Sequence, residues 1–394
     1  MNLVVMGGLN HIDESAHDTC FYVYDCLYVL IKFKDLRNIL ISIRLRYLME
    51  IIEAYEEPEE PKNLVYLAKP VYGGWVTFTA HLSQKYGYPI HKLTKKTETT
   101  RRPFGYECEY HNMAVQDICG LPNVLITAID KSAWGYLRFF PPGTGLVIHD
   151  PTECKKAKDG NPLVQETEYG SQLLNHFKIY TIRESVQEYL RDTFKVESTF
   201  LKHPFHAYPI PESQGLGYPH VSIARLDFDK NTHVMLGANQ IMGEDTSETT
   251  DFEKPKEHIR FFGSENRIYV YHKLRELGVQ DYWMGKFPKT FSPMYEDKSI
   301  LKDARYMIDL SVIKQDGGGT QYTFLEAIYH DCVLVLHNEW ICQGSTFQSG
   351  INCVGVSDER ELATFLKRGL PKKDWIRIQK KSKELLKDHC GVRW

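Results

Sequence analysis

The chain has 394 residues, which is enough for two domains that each bury a hydrophobic core. Hydrophobic residues make up 42% and charged residues 25% of the sequence, a composition that excludes a largely disordered chain. The net charge of -3 gives no overall positive field that would attract nucleic acid, although it is compatible with a local basic groove.

Nine cysteines are scattered along the chain, and none of them forms a CxxC pair. This pattern predicts neither a disulfide framework nor a structural zinc site. The N-terminus lacks the basic region and the small-residue cleavage site of a signal peptide, and no apolar run reaches the ~18 residues of a membrane span. We therefore expect a cytoplasmic protein without a transmembrane segment.

Residues 1–62 are predicted to form a partly helical N-terminal extension. Residues 27–52 are apolar with basic residues at roughly helical spacing, and an acidic run with prolines follows at Glu53–Pro61. The pattern fits a helix packed on the body of the protein, a poorly ordered extension, or a helix in weak contact with a membrane surface.

From residue 63 onward, short apolar strands alternate with amphipathic helices. A strand at Leu64–Ala68, a turn with two glycines and a helix at Trp75–Lys85 predict a nucleotide-binding unit. Further strands are predicted at 124–127, 146–149, 179–182 and 196–201, with a helix at 184–193. Such runs are typical of parallel strands buried on both faces, so residues 63–205 are predicted to form a Rossmann-like domain.

A second series follows a hinge rich in Pro, Gly and Tyr at Pro204–Pro219. Strands are predicted at 221–223, 259–262, 306–310 and 333–336, and helices at 231–242, 268–277, 322–329 and 358–367, with a polar loop at 240–257. Residues 206–371 are thus predicted to form a second Rossmann-like domain and 372–394 a basic C-terminal helix. Because ligands bind such sheets at the carboxyl ends of their strands, a site is expected in the cleft between the domains.

Two segments of the first domain carry candidate binding residues. Gly73 and Gly74 open the first helix, where the backbone can approach a ligand closely and the helix N-terminus favours an anion; a plain structural turn explains them equally well. His149 ends a strand, where it is suited to contact a sugar or, alternatively, to form a turn with Asp150 and Pro151. The GxGxxG fingerprint is absent, so the sequence does not support NAD binding.

Two segments of the second domain carry charge and glycine. Ser222–Asn231 holds Arg225 and Lys230 in a short loop, where they are suited to neutralise a diphosphate leaving group; two solvated surface cations are the alternative. Further on, Gly317–Gly319 leads into a helix whose first backbone amides can cradle phosphate oxygens. Glu326 lies inside this helix, where a carboxylate can accept both ribose hydroxyls.

Together these segments resemble the retaining GT-B glycosyltransferases, especially glycosyltransferase family four. The resemblance covers about residues 63–370 and rests on SIARLDFDKN at 222–231 and GGGTQYTFLEA at 317–327. The strings GGWVTFTAHLS and VIHDPTE are similar to segments of glycosyltransferases from large DNA viruses and phages. The resemblance implies an α/β GT-B fold of two facing Rossmann-like domains, with a nucleotide-diphosphate sugar as substrate and no cofactor.

The resemblance also implies roles for the matching positions. Arg225 and Lys230 would hold the diphosphate, Glu326 the ribose and His149 the transferred sugar, so that His149, Arg225 and Lys230 are the candidate catalytic residues. The nucleotide sugar would further contact Gly73, Gly74, Ser222, Gly318, Gly319, Thr320 and Gln321. The family often carries another glutamate eight positions before Glu326, where this chain has Gly318. The identity of the sugar is therefore not implied.

No metal site is expected. Asp227-Phe228-Asp229 matches the letters of a DxD metal motif, but it lies inside the Arg225–Lys230 loop, and its acids are interpreted as loop-forming. The resemblance implies retention of the anomeric configuration. Because no carboxylate is clearly placed as a nucleophile, front-face displacement is the favoured mechanism.

The favoured acceptor is a hydroxyl of a glycan or glycoprotein. A hydroxymethylated DNA base is the alternative, with the basic run Lys92–Arg102 as its contact, although a solvated loop also explains that run. A non-catalytic nucleotide-sugar-binding protein or an epimerase of the same fold is the third hypothesis, because of the missing glutamate. The presence of Arg225, Lys230 and Glu326 argues for a catalyst.

Overall fold

The computed structural model describes residues 62–69, 73–93, 108–130, 132–154, 167–209, 212–213, 217–244, 257–264, 273–285, 298–312, 319–343 and 346–394. Within the chain, Pro61–Trp394 forms one compact unit. The helix predicted at 27–52, Gly318 and most of the basic run at 92–102 lie outside the described residues, as does most of the polar loop at 240–257.

The first half of this unit is a parallel sheet with helices. Its elements are β1 Asn63–Leu67, α1 Gly74–Tyr86, β2 Ile90–Leu93, β3 Tyr110–Met113, α2 Val115–Cys119, β4 Val124–Ile129, β5 Gly145–Ile148, α3 Thr167–Leu174, β6 Lys178–Thr181, α4 Glu184–Phe194 and β7 Thr199–Phe200. The strands lie in the order β3-β2-β1-β4-β5-β6-β7, and every neighbouring pair is parallel.

The second half repeats the pattern. Its elements are β8 Glu212–Ser213, β9 His220–Ile223, α5 Thr232–Glu244, β10 Arg260–Phe262, β11 Trp283–Gly285, β12 Lys298–Ser299, β13 Tyr306–Asp309, α6 Tyr322–Tyr329, β14 Val333–His337, α7 Asn338–Gln343, β15 Val354–Val356, α8 Glu359–Arg368 and α9 Lys372–Gly391. The order β11-β10-β9-β13-β14-β15 forms a second parallel sheet, while β8 and β12 form a separate pair.

The central strands explain why both sheets are parallel. All residues of β4, β13 and β14 are buried, so both faces of these strands are covered by helices. The flanking helices supply amphipathic faces, as α8 shows. Asp358 caps its N-terminus by accepting hydrogen bonds from the backbone N–H groups of Arg360 and Glu361, and Leu362 and Leu366 are buried.

The strand order also positions the candidate site. In the first sheet the chain moves outward from β1 through β2 and β3, and then returns to the other side of β1 with β4. The second sheet reverses in the same way between β9 and β13. Ligands of open α/β sheets bind in the crevice beyond the carboxyl ends of the strands at such reversal points.

Side chains from both sheets meet in one continuous core. The ring of His81, on α1, stacks on Tyr322 at the start of α6 with 4.8 Å between the ring centroids. Trp394, which follows α9, packs edge-on against Phe78 of α1 at 4.9 Å. The C-terminal segment therefore returns to the first sheet and ties the two halves together.

The sequence predicted most of these elements and the fold class, which the structure confirms. The predicted strand at 196–201 is shorter, since β7 covers only Thr199–Phe200. The predicted helix at 268–277 lies partly outside the described residues, and residues 275–278 form a turn. The strands β2 and β3, which end one side of the first sheet, escaped prediction because their sequences, IHKL and YHNM, mix polar with apolar residues. Among the described residues, no helix has the length and apolar character that crossing a membrane requires.

Candidate active site

The glycine loop after β1 lies at the open edge of the first sheet. Gly73 has φ 98°, a conformation that residues with a side chain rarely adopt, and its carbonyl oxygen accepts a hydrogen bond from the backbone N–H of Thr77 at 3.0 Å. Gly73 and Gly74 are exposed, and a Cβ atom at either position would meet no atom within 4 Å. The N-terminus of α1 is therefore accessible, and the binding role of Gly73 and Gly74 stays a prediction.

His149 follows β5 directly and is fixed in one orientation. Its Nε2 lies 2.8 Å from the carbonyl oxygen of Thr127, which can only accept, so Nε2 carries the proton. Burial is the main reason why the pKa of His149 is lowered to about 4; the charge of Arg183 acts in the same direction, whereas the hydrogen bond to Thr127 and the charge of Asp150 act against it. The imidazole is therefore neutral at pH 7, with Nδ1 as its hydrogen-bond acceptor.

Glu153, which sequence reasoning did not select, joins His149 to the glycine loop. Its Oε1 accepts a hydrogen bond from Trp75 Nε1 at 2.8 Å, and its Oε2 accepts one from the backbone N–H of His149 at 3.2 Å. Burial raises the pKa of Glu153 to about 8, whereas these two hydrogen bonds and the charge of Arg183 act in the opposite direction. The carboxyl group thus holds two loops that are far apart in sequence.

Two threonines complete a closed set of hydrogen bonds. The Thr79 hydroxyl lies 2.8 Å from the carbonyl oxygen of Trp75 and 2.8 Å from the hydroxyl of Thr127. With the contacts of His149 and Glu153, these bonds form a loop of five residues that we call the polar ring: Trp75, Thr79, Thr127, His149 and Glu153. The ring connects α1, β4 and β5 on the side of the first sheet where the carboxyl ends of its strands lie.

Lys230 lies on the side of the second sheet where the carboxyl ends of its strands lie. It is only 8% exposed, and its Nζ donates a hydrogen bond to Ser311 Oγ at 2.7 Å and lies 4.0 Å from Asp309 Oδ2. The next residue, Asn231, donates from Nδ2 to the carbonyl oxygen of Leu310 at 2.9 Å. These contacts anchor the loop to the end of β13, so Lys230 is not a solvated surface cation.

Arg225, on the same loop, is arranged differently. Its side chain is 61% exposed, with Nη1 3.1 Å from Asp227 Oδ2 and Nη2 3.4 Å from Asp229 Oδ2. Asp227 also accepts a hydrogen bond from the backbone N–H of Phe228 at 2.8 Å. The two acids of the DxD-like segment therefore pair with Arg225 and shape the loop. In the described part of the chain, no group of three or more His, Cys, Asp or Glu side chains is arranged to hold a metal ion.

The remaining predicted residues lie in β9 and around α6; Gly319 and Gln321 are half-buried, and the others, including Thr320, are buried. Gly319 and Thr320 lie before α6, and Gln321 is its N-cap with extended backbone. Ser222 lies buried within β9, and Glu326 is 3% exposed in α6. Burial raises the pKa values of Tyr208 and Tyr322, and the charge of Glu326 raises them further, which places its carboxylate beside both rings. The ribose contact of Glu326 stays a prediction.

Arg183 is the second residue that sequence reasoning missed. It lies just beyond β6, and a Cβ atom added to Gly319 would come within 3.2 Å of its Cγ, so its side chain reaches the loop before α6. Burial lowers the pKa of Arg183, whereas Asp150 and Glu153 raise it. A polar residue close behind a strand was the available signal, since Arg183 is the second residue after β6 and His149 is the first residue after β5.

No protein-family model matches the chain, and no curated protein sequence matches it either. Solved structures of the same architecture are nevertheless known. The HepE protein of Anabaena in complex with UDP-glucose gives a TM-score of 0.56 at 11% identity, covering 84% of this chain and 95% of that one. A glycosyltransferase from Rickettsia africae ESF-5 gives 0.53 at 13% identity, covering 84% and 94%.

A further similar structure is an α-glucosyltransferase in complex with UDP and a 13-mer DNA containing an HMU base. Its TM-score is 0.55 at 12% identity, and the match covers 83% of this chain and 95% of that one. Identities this low establish the fold alone. The chain has the GT-B fold, with two Rossmann-like sheets whose carboxyl edges carry the polar ring on one side and the Arg225–Lys230 loop on the other.

Proposed function

We propose that the protein is a glycosyltransferase that moves a hexose from a nucleotide-diphosphate sugar to a hydroxyl of a glycan or glycoprotein. The observation that carries this proposal is Lys230, a buried cation anchored at the end of β13 in a GT-B fold. An ammonium group has three donors, of which Ser311 accepts one, so oxygens of a diphosphate at this strand end would accept others.

In the proposed reaction, positive groups of the second sheet stabilise the charge of the leaving diphosphate. Lys230 is already in place, whereas Arg225 would exchange Asp227 and Asp229 for phosphate oxygens. The N-terminus of α6 adds backbone N–H groups and the positive end of its dipole. Together these groups would supply, without a metal, the charge stabilisation that the departing diphosphate needs.

In this reaction His149 accepts a hydrogen bond from the sugar and does not act as a general base. With a pKa of about 4 it is a poor proton acceptor in catalysis at pH 7, but its neutral Nδ1 can accept a hydrogen bond from a hydroxyl of the transferred sugar. In front-face displacement the acceptor oxygen bonds to the anomeric carbon, the bond to the diphosphate oxygen breaks, and that oxygen takes the acceptor proton. Retention of configuration follows from this geometry.

Transfer to a hydroxymethylated DNA base is the second candidate function. It is favoured by the fold shared with the α-glucosyltransferase bound to DNA and by the basic run at 92–102. Against it stands the overall charge of -3, which provides no general attraction for a phosphate backbone.

The experiment is a panel of UDP-, GDP-, ADP- and dTDP-hexoses, assayed for hydrolysis and for transfer to glycans and to hydroxymethylated DNA in parallel. We expect one preferred nucleotide sugar, unchanged activity in EDTA, and a product with the anomeric configuration of the substrate. Lys230→Ala should abolish turnover, while Lys195→Ala, a change of an exposed lysine, should retain it. Turnover of no nucleotide sugar would overturn the proposal, and an inverted product would overturn its mechanism.

A further inference from the structure

A cavity of about 370 Å³ lies beside the candidate site. Its wall is formed by Arg183 after β6, by Gly319 and Thr320 before α6, and by the last turns of α9 around Asp388. This volume falls within the roughly 300–1,000 Å³ of small-molecule pockets. Since Gly319 and Thr320 are predicted substrate contacts, the cavity adjoins the place where the sugar is expected.

The charges on the wall balance one another. Arg183 and Lys202 contribute two positive charges, and Glu184 and Asp388 contribute two negative ones. Lys202 forms an ion pair with Asp388. The charge of Arg183 is further offset by Asp150, whose negative charge raises the pKa of Arg183. Among the described residues of the wall there is therefore no excess of positive charge for a phosphate or carboxylate.

Two histidines complete the wall without changing this balance. Burial lowers the pKa of His203 well below its ordinary value and that of His389 to about 4, so both are neutral at pH 7. His389 Nδ1 donates a hydrogen bond to the carbonyl oxygen of His203 at 2.9 Å. The cavity thus offers donors and acceptors in a setting without net charge.

An uncharged ligand rich in hydroxyl groups fits this wall. Each hydroxyl donates one hydrogen bond and accepts two, so it is satisfied by a wall that mixes cations, carboxylates and threonine hydroxyls. A phosphate or a carboxylate would meet as many acids as bases. Resting on the proposed function, we propose that the cavity binds an uncharged sugar ring and that Arg183 is the residue that selects it.

Arg183 has the geometry for this role. The absence of a side chain at Gly319 lets the aliphatic part of Arg183 lie against the loop before α6. Its guanidinium group carries five N–H donors in a fixed plane, and the charge of Asp150 favours its protonated form.

The sugar in the cavity could belong to the nucleotide sugar or to the acceptor, and two experiments separate these sources. The first compares the affinities of UDP, UDP-glucose and UDP-glucuronate by calorimetry. The second measures binding of methyl glucoside, methyl galactoside and glucuronate by saturation-transfer NMR, with and without UDP. Both use the full chain, Arg183→Gln and Arg191→Gln, a change of an exposed arginine on α4.

We expect wild type to prefer uncharged sugars over their glucuronate counterparts, and Arg183→Gln to lose about tenfold in affinity for them. The loss appears in the ratio of UDP-glucose to UDP affinity if the cavity holds the transferred hexose. It appears in methyl glycoside binding if the cavity holds the acceptor. Arg191→Gln should match wild type in both experiments.

Preference for glucuronate, or equal binding by wild type and Arg183→Gln in both experiments, would overturn the inference. If Arg183→Gln unfolds, Thr346→Leu provides a second test, because Thr346 also lines the cavity and a larger side chain there should narrow it and weaken binding. Failure of the proposed function has a different signature. In that case UDP and UDP-glucose do not bind wild type, while the methyl glycosides measured without UDP still decide whether the cavity takes a sugar.

Discussion

The two sides of the cleft differ in how their polar side chains are held. On the first sheet, the polar ring of Trp75, Thr79, Thr127, His149 and Glu153 is closed, and its hydrogen bonds are buried or partly buried. On the second sheet, a single loop carries one buried and one exposed cation, Lys230 and Arg225.

This difference indicates how each edge works. The polar ring fixes its side chains before a ligand arrives, so binding requires little ordering there. In the loop of the second sheet only Lys230 is already positioned, because it is anchored to Ser311. Arg225 would have to leave Asp227 and Asp229 before it could contact a diphosphate. We therefore expect substitutions in the ring to change stability and turnover together, and substitutions around Arg225 to change mainly affinity.

The largest effect is expected at Lys230. Among the described residues, Asp309 Oδ2 is buried without a hydrogen-bond partner, and Lys230 Nζ at 4.0 Å compensates its charge. Removal of one member of a buried pair costs about 3–5 kcal/mol, so Lys230→Ala should lower the free energy of unfolding by about that amount. Urea denaturation measures this, with Lys195→Ala as the control. A change of less than ~1 kcal/mol would show that Asp309 does not depend on Lys230.

The next effect is the pH dependence that Glu153 imposes on stability. Its pKa rises from 4.5 to about 8 on folding, so between these values the folded protein keeps a proton that the unfolded chain has lost. The resulting stabilisation is complete below about pH 4.5 and disappears as pH rises through 8; at about 1.4 kcal/mol per pKa unit it amounts to at most roughly 5 kcal/mol. Glu153→Gln should remove this loss.

The test is the difference in unfolding free energy between wild type and Glu153→Gln from pH 5 to 9. Buried histidines such as His149, whose pKa values are lowered, destabilise the protein at acid pH, but both proteins share that contribution. We expect the difference to shift in favour of Glu153→Gln as pH rises. A difference that does not change with pH would mean that Glu153 ionises normally.

A smaller effect is expected within the polar ring. Thr79 is fully buried, and Thr79→Val replaces its hydroxyl by a methyl group of similar size. Loss of its hydrogen bonds should cost about 1–2 kcal/mol of stability and reduce turnover, because His149 loses support. Thr364→Val, on the exposed face of α8, is the matched control. If both variants behave like wild type, the ring does not act as a connected unit.

The sequence predicted the Arg225–Lys230 loop of the second sheet better than the polar ring of the first sheet. The buried strands, the glycine loop and the cations of the Arg225–Lys230 loop follow from local patterns. Glu153 could not be selected, because its function depends on Trp75, which is 78 residues away in sequence. Nor could the sequence tell that Lys230 is buried and Arg225 exposed, since this depends on how the loop packs on β13.

The smallest effect is expected at the two acids that hold Arg225. Exposed ion pairs are worth about 0.2–1 kcal/mol each, so Asp227→Asn with Asp229→Asn should tighten UDP binding about threefold to tenfold by releasing Arg225. The same pair of changes in an Arg225→Ala background separates this release from simple charge repulsion. Tightening that persists without Arg225 would show that the acids only repel the diphosphate. Asp192→Asn, beside Arg191, is the surface control.

The central claim is that a nucleotide sugar is held between the carboxyl edges of the two sheets. A crystal structure of the protein with UDP tests it most directly. We expect the diphosphate to lie within hydrogen-bond distance of Lys230 Nζ and at the N-terminus of α6. Arg225 should then have moved from Asp227 and Asp229 onto phosphate oxygens. UDP bound outside this cleft, or an Arg225 that keeps both aspartates while UDP is bound, would contradict it.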